Sequence, residues 1–459
     1  MEARQIKLLS FIAGEDKRLI IPVFQRNYDW RVDHCKQLYE DIVSLIENPN
    51  KTSHFIGSIV YISNREIDMV DLREYVIIDG QQRITSIILL LKAMYDSIKT
   101  DSEVNSQLKD KIYEYYLINK YQSKENKLRL KPMKEDNVVF RSIMENREIE
   151  KQNLKSNIFI NYSFFKKELL KSHFSIKQIF EATQKLMIVW ISLQRGEDDP
   201  QLIFESINST GVSLTQADLI RNFVLMDKEP HEQEYLFDHY WFAIENNLTN
   251  ELISDFVRNY LTMVNQKIPK KSDVYSEFKN YVVNKKEPIE NILKELKYYS
   301  NIYQKIVFCR TENSSINNLL KKLNKLDITV SYPFLLNTFH KFEQQEIFKE
   351  ELSEILNTII SYVFRRMVCE LPSNVLSKIF ANLSKEMGTI DKKSYIEKLY
   401  VALLRKKYSS AFPSNQEFKT NLLTKSINTF KHKNYLLEEL ENHNSDEIVN
   451  INDLTIEYQ

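Results

Sequence analysis

Apolar positions along the chain change their spacing near residue 229. Before it, short apolar runs of strand character alternate with helical stretches. After it, apolar residues recur three and four positions apart almost without interruption. In the first part, Arg18 to Val23 predicts a short strand entering a turn, and Phe55 to Ile62, Val70 to Ile78 and Leu186 to Leu193 predict further strands. Asp33 to Ile46 has the period of an amphipathic helix, and a helix is expected from Ile84 to about Lys99. Gln201 to Ile207 and Gln216 to Met226 predict two helices on either side of a polar loop, and Leu128 to Lys131 alternates apolar and basic residues before stopping at Pro132. In the second part, helices are expected over Tyr235 to Asn247, Glu251 to Val264, Asn291 to Lys305, Glu343 to Val363, Asn374 to Leu383 and Tyr395 to Lys406. Prolines punctuate that half, and the sequence carries no internal repeat and no low-complexity linker. The pattern predicts an α+β domain over residues 1–228 and an all-helical domain over 229–459.

One junction between a strand and a helix carries unusual chemistry. The apolar run Glu74 to Ile78 ends at Asp79-Gly80-Gln81-Gln82-Arg83, and the helical run begins at Ile84. A strand that turns at a glycine into a helix aims unpaired N–H groups and the positive end of the helix dipole at one spot. An anion such as phosphate suits that spot, and Arg83 adds a planar fork that can hold it with two hydrogen bonds. The plainer reading is a βα turn with a structural glycine and a surface arginine. The chain holds only 6 Gly in 459 residues, against an average share of about 7%. Three of them, Gly57, Gly80 and Gly211, stand in polar turns, where positive φ or close backbone approach explains their retention.

Two further segments concentrate polar side chains. Ile21 to Trp30 places Gln25, Arg26, Asn27, Tyr28 and Trp30 directly after a strand. Arg26 suits a phosphate or carboxylate, and Tyr28 and Trp30 suit a base. An aromatic anchor closing a core is the competing reading. Asp198 to Asn222 contains the polar turn Asn208-Ser209-Thr210-Gly211, with Glu205 and Asn208 three apart on one helix face. Thr215 and Asp218 stand at capping-box spacing, which favours a purely structural role. Lys124, Lys127, Arg129, Lys131 and Lys134 form the densest basic stripe of the first part; a solvated face is its default reading.

Composition narrows the function classes. Lys plus Arg and Asp plus Glu are 63 each, so bulk charge supplies no argument for nucleic-acid binding. Cys35, Cys309 and Cys369 form no metal-spaced pair and no disulfide framework, which fits a reducing cytoplasm. No stretch has the length and apolarity of a membrane span. Walker, Rossmann and His-Glu-x-x-His patterns are missing, the histidines are dispersed, and no metal ligands can be assigned.

Together, Ile21 to Trp30, Ile78 to Arg83, Phe204 to Gly211 and Asp218 to Asn222 resemble the N-terminal domain of GmrSD-type and SspE-type restriction proteins, bacterial anti-phage enzymes acting on modified DNA. Ser361 to Arg366 and Phe412 to Phe418 resemble later landmarks of the same family. The resemblance implies a ParB-like and sulfiredoxin-like nucleotide fold with the Asp79 to Arg83 turn at the phosphates. It implies hydrolysis of GTP or ATP with Mg²⁺, coupled to sensing of modified phage DNA. On that footing Asp79, Gln82 and Arg83 are the expected catalytic residues. Gln25, Arg26, Tyr28, Gly80, Gln81, Asn208 and Gly211 are the expected nucleotide contacts. A non-enzymatic DNA- or partner-binding module and a ParB-like nicking nuclease are the alternatives. A separate nuclease subunit and a second copy of the chain are the further expected partners. Family members usually continue into an HNH nuclease opening with a Thr-Ile-Glu-His segment, where this sequence reads Thr455-Ile456-Glu457-Tyr458-Gln459. The nuclease is therefore expected to be absent, and double-strand cleavage is not expected of this chain alone.

Overall fold

A computed structural model describes residues 1–14, 17–63, 73–120, 122, 124–194, 197–208, 214–388 and 395–443; Ser209 to Gly211 and Leu454 to Gln459 lie outside them. The chain forms two compact units, one of residues 1–214 and 221–237, the other of residues 215–220 and 238–459.

The first unit is built on a six-stranded mixed sheet of order β1-β6-β3-β4-β2-β5. Its strands are β1 (Glu2–Lys7), β2 (Lys17–Ile20), β3 (His54–Ser63), β4 (Arg73–Asp79), β5 (Leu130–Lys131) and β6 (Leu186–Leu193). β1 runs antiparallel to β6 and β3 antiparallel to β4, whereas β3–β6, β2–β4 and β2–β5 are parallel. The helices are α1 (Leu8–Ile12), α2 (Val32–Glu47), α3 (Gln81–Ser97), α4 (Glu103–Ile112), α5 (Lys134–Met144), α6 (Asn157–Lys171), α7 (Ile176–Thr183) and α8 (Pro200–Asn208), with the part of α9 (Gln216–Leu225) from Arg221 on. With the helical second unit, this is the expected α+β architecture. β1 was not legible as a strand, because only Ile6 in it is even half-buried.

Helix α3 is the centre of the unit. Ile84, Ile87, Leu89, Leu90, Leu91, Ala93 and Met94 are all fully buried, so the helix is apolar on every side and must be enclosed. It packs along α6 and against α4 and α7. Lys92 is buried within it, with Nζ 2.6 Å from Asp96 Oδ1 and 2.7 Å from Asn146 Oδ1. Tyr162 on α6 donates to the second oxygen of Asp96 at 2.5 Å. Burial pulls the Lys92 ammonium below its ordinary value, and Asp96 opposes that shift. Removing one partner of such a pair strands the other charge, so Asp96→Ala should cost about 3 kcal/mol in chemical denaturation. Lys92→Met, which keeps the volume, should cost clearly less, because the carboxylate it leaves is partly exposed and keeps its bond from Tyr162. Equal losses in the two variants would contradict this account of the pair.

Every regular element among the described residues of the second unit from 238 on is a helix. One expected helix is divided: Glu343 ends the helix Tyr332–Glu343, and the next begins at Lys349 and runs to Val368. Gln345 between them holds φ of 58°, which a continuous helix cannot accommodate. The landmark residues Arg365 and Arg366 grip a downstream segment by its backbone. Arg366 donates to the carbonyls of Pro372, Ser409 and Ala411, and Arg365 to that of Pro413 while lying over Phe412 and Phe418. These arginines stabilise the unit, and their charge faces protein carbonyls. No described helix is long and apolar enough to cross a membrane.

Candidate functional site

The turn between β4 and α3 takes the shape the sequence implies. Gly80 is the N-cap of α3 at φ 93° and ψ 5°, in left-handed space. The first backward bond of the helix runs from Ile84 N–H to Gly80 O at 3.1 Å. The N–H groups of Gln81, Gln82 and Arg83 therefore have no intrahelical acceptor. A Cβ at Gly80 would stand 2.9 Å from Ile59 Cγ1 and 3.1 Å from Ser58 O, so the turn is also tightly packed against β3.

Charge gathers at this turn. Burial pushes the half-buried Asp79 carboxyl above its ordinary value, while Arg83, the Gly80 N–H and Arg26 pull it back. Both guanidinium groups thus act on one carboxylate. Arg26 also lies 3.5 Å from Asp29. Arg83 reaches back to β3, where NH1 donates to Ser58 O at 3.1 Å.

The glutamines and Tyr28 are engaged differently. Gln25 donates to Ile78 O at 2.9 Å and accepts from Gln81 Nε2 at 3.1 Å. Gln82 Oε1 accepts the backbone N–H of Asp29 at 2.9 Å and of Trp30 at 3.1 Å, while its Nε2 donates to Asn27 O at 3.3 Å. The Gln82 amide is thus committed to the Phe24–Trp30 segment. The Tyr28 ring is in the core, with its hydroxyl 2.6 Å from Ser86 Oγ and accepting from Asn161 Nδ2 at 3.1 Å. Burial raises its pKa. No face of that ring is open to a base, so the stacking role expected of Tyr28 is replaced by an anchoring one. Trp30 stacks instead on His34, with centroids 5.7 Å apart.

Sequence reasoning missed the residues that grip this segment from other helices. Arg221 of α9 donates to the carbonyls of Phe24 and Gln25. Asn157 and Asn161 of α6 donate to the carbonyls of Tyr28 and Trp30, at 3.3 and 2.6 Å. Asp136 of α5 accepts the Tyr28 N–H at 2.6 Å, and Glu135 accepts from Asn27. The segment has no regular structure, so side chains satisfy its backbone in place of a ladder. Arg221 lay within a quoted motif; the others carried no sequence signal.

Burial raises the Asp136 carboxyl from an ordinary 3.8 to about 6. A raised carboxyl value makes the folded chain hold a proton the unfolded chain has released. Its contribution to stability therefore falls as pH climbs from about 4 to about 6 and is flat above. Asp136→Asn keeps an acceptor for Tyr28 N–H and removes the titration. In melting curves from pH 4 to 8, the variant should gain on wild type across that window. A constant difference would contradict the assignment.

The remaining expected residues are placed as follows. Asn208 ends α8, which packs beside β4; its side chain, like Gly211, lies outside the described residues. Thr215 and Asp218 form a reciprocal cap, with Asp218 accepting both the Thr215 N–H and hydroxyl. The basic stripe is not a continuous face: Arg129 is buried and donates to the carbonyls of Lys17 and Glu114. Among the described residues, no group of three or more His, Cys, Asp or Glu is arranged to hold a metal ion.

A mixed sheet whose strand β4 passes through a left-handed glycine into a buried helix defines the class of this domain as an α+β module. Residues 8–225 match the family described as the GmrSD restriction endonuclease N-terminal domain. Over this region the chain is similar to the N-terminal domain of GmrSD-type restriction systems. No curated protein matches the chain.

Proposed function

We propose that the GmrSD-type domain binds a nucleoside triphosphate, GTP or ATP, with its phosphates at the N-terminus of α3, and couples that ligand to recognition of modified phage DNA. The observation that carries this reading is the left-handed Gly80 turn that opens α3, with first-turn N–H groups lacking an intrahelical acceptor and Arg83 in that same turn. The donor set suits a triphosphate: unpaired N–H groups, a helix dipole and two guanidinium forks. Gly80 supplies the left-handed turn and the close packing on β3 that aim the start of α3. Mg²⁺ fits as a companion of the phosphates, since that ion commonly takes one or two carboxylates and keeps its waters. Asp79 is the residue here that would hold it, and the ion would offset charge on the phosphates. Arg83 and Arg26 bind and orient the phosphates. Gln25, Gln81, Gln82 and Tyr28 hold the Phe24–Trp30 segment and so position Arg26.

One observation favours a second reading, a nucleotide-binding module that does not hydrolyse its ligand. The Gln82 amide is bonded to Asn27, Asp29 and Trp30 and is not turned toward a water beside the phosphates. Phosphate release from GTP and ATP with Mg²⁺, with and without modified phage DNA, separates the two. The hydrolytic reading expects release stimulated by that DNA. Saturable binding without release supports the ligand reading, and the absence of both rejects the proposal.

A further inference from the structure

Gly57 is one of the few glycines of the chain, and the polar turn expected around it is instead an irregularity within a strand. It lies in β3, where the pairing with β6 slips between Phe55 and Ser58. Its φ of +111° belongs to the region that favours glycine. A Cβ on Gly57 would stand 2.9 Å from Arg83 Cζ, 3.0 Å from NH2 and 3.2 Å from Nε. The nearest atom is the central carbon of the guanidinium. The group therefore lies face-on across the glycine instead of pointing an edge at it.

The next residue completes the arrangement. Ser58 O accepts from Arg83 NH1 at 3.1 Å, which fixes the rotation of the plane on the glycine. Among the described residues, the Nε–NH2 edge has no hydrogen-bond partner. That edge is the one that offers two parallel donors to a phosphate or carboxylate. Asp79 is close enough to be stabilised by the charge, although no ion pair within bonding distance forms between them.

We infer that Gly57 and the Ser58 carbonyl form a seat that holds the Arg83 plane and presents its Nε–NH2 edge to a phosphate. Gly57 is a positioning residue that acts through Arg83. The inference rests on the nucleotide reading above for its ligand, but the seat itself is a property of the protein alone. The bulge exists to bring a bare Cα under the guanidinium. Any side chain at position 57 lifts the plane and breaks its alignment.

The test uses the full chain with ¹⁵N-labelled arginine. The Nε–H resonance missing from Arg83→Ala identifies Arg83, and it should move in Gly57→Ala. GTP and ATP titrations of the same proteins should show affinity lower by about tenfold in Gly57→Ala, the scale of one misaligned charge-assisted bond. In an Arg83→Lys background, which has no plane to seat, Gly57→Ala should leave affinity unchanged. Its melting temperature should fall similarly in both backgrounds, because backbone strain at position 57 does not depend on Arg83. An unmoved resonance overturns the inference, as does the same affinity loss in both backgrounds. If wild type binds neither nucleotide, the functional reading fails and the resonance alone decides the seat.

Discussion

Arg83→Ala is expected to lower nucleotide affinity by about a hundredfold or more while the protein stays folded. Two charge-assisted bonds to a phosphate contribute about 3 kcal/mol or more together, and every 1.4 kcal/mol is about tenfold in affinity. The stability cost is smaller. Arg83 is half-buried, and its one hydrogen bond among the described residues is to Ser58 O. Losing that neutral acceptor costs about 1 kcal/mol. The side chain lies on Gly57 and fills no core cavity. Calorimetric titration with GTP and ATP, beside a melting curve, checks both halves. Unchanged affinity, or unfolding, would each contradict the assignment.

Gly80→Val is expected to damage folding and binding together. The new Cβ would press on Ile59 Cγ1 at 2.9 Å, on Ser58 O at 3.1 Å and on Ile59 Cα at 3.3 Å. The last two belong to the backbone of a central strand and cannot swing away. The φ of 93° adds strain that a β-branched residue tolerates worst. Overpacking and backbone strain together should cost about 4 kcal/mol, a large share of ordinary domain stability. Gly80→Ala should show the same loss at smaller size. A Gly80→Val protein with a wild-type denaturation midpoint would show that the turn has room the structure denies.

Some of this site could be read along the chain and some could not, for physical reasons. The β4–α3 junction was legible because a glycine at a strand end has few other uses, and the all-round apolar run after it marks a buried helix. Thr215 and Asp218 behave as their spacing implies, since a capping box is a local structure. What a polar side chain faces is not local. Gln25, Gln81 and Gln82 have the residue types of ligand contacts, yet their amides satisfy the backbone of Ile78 and of Asn27 to Trp30, or each other. Tyr28 has the chemistry of a stacking platform and is anchored in the core. Arg129 belongs to a basic stripe by position and points inward to carbonyls. In each case the deciding partner is distant in sequence: Asn161 lies 133 positions from Tyr28, and Arg221 lies 197 from Phe24. β1 shows the same limit for the fold, as an edge strand held by its ladder to β6 with little apolar signal of its own.

The most direct measurement is the structure of the full chain with a non-hydrolysable triphosphate analogue of GTP or ATP and Mg²⁺. The phosphates should lie at the N-terminus of α3, with oxygens about 2.7–3.2 Å from the Arg83 guanidinium and from first-turn N–H groups. Arg26 should turn from Asp29 toward the same anion. Phosphates bound at any other place, with Arg83 still lying on Gly57 and no anion at its Nε–NH2 edge, would contradict the account.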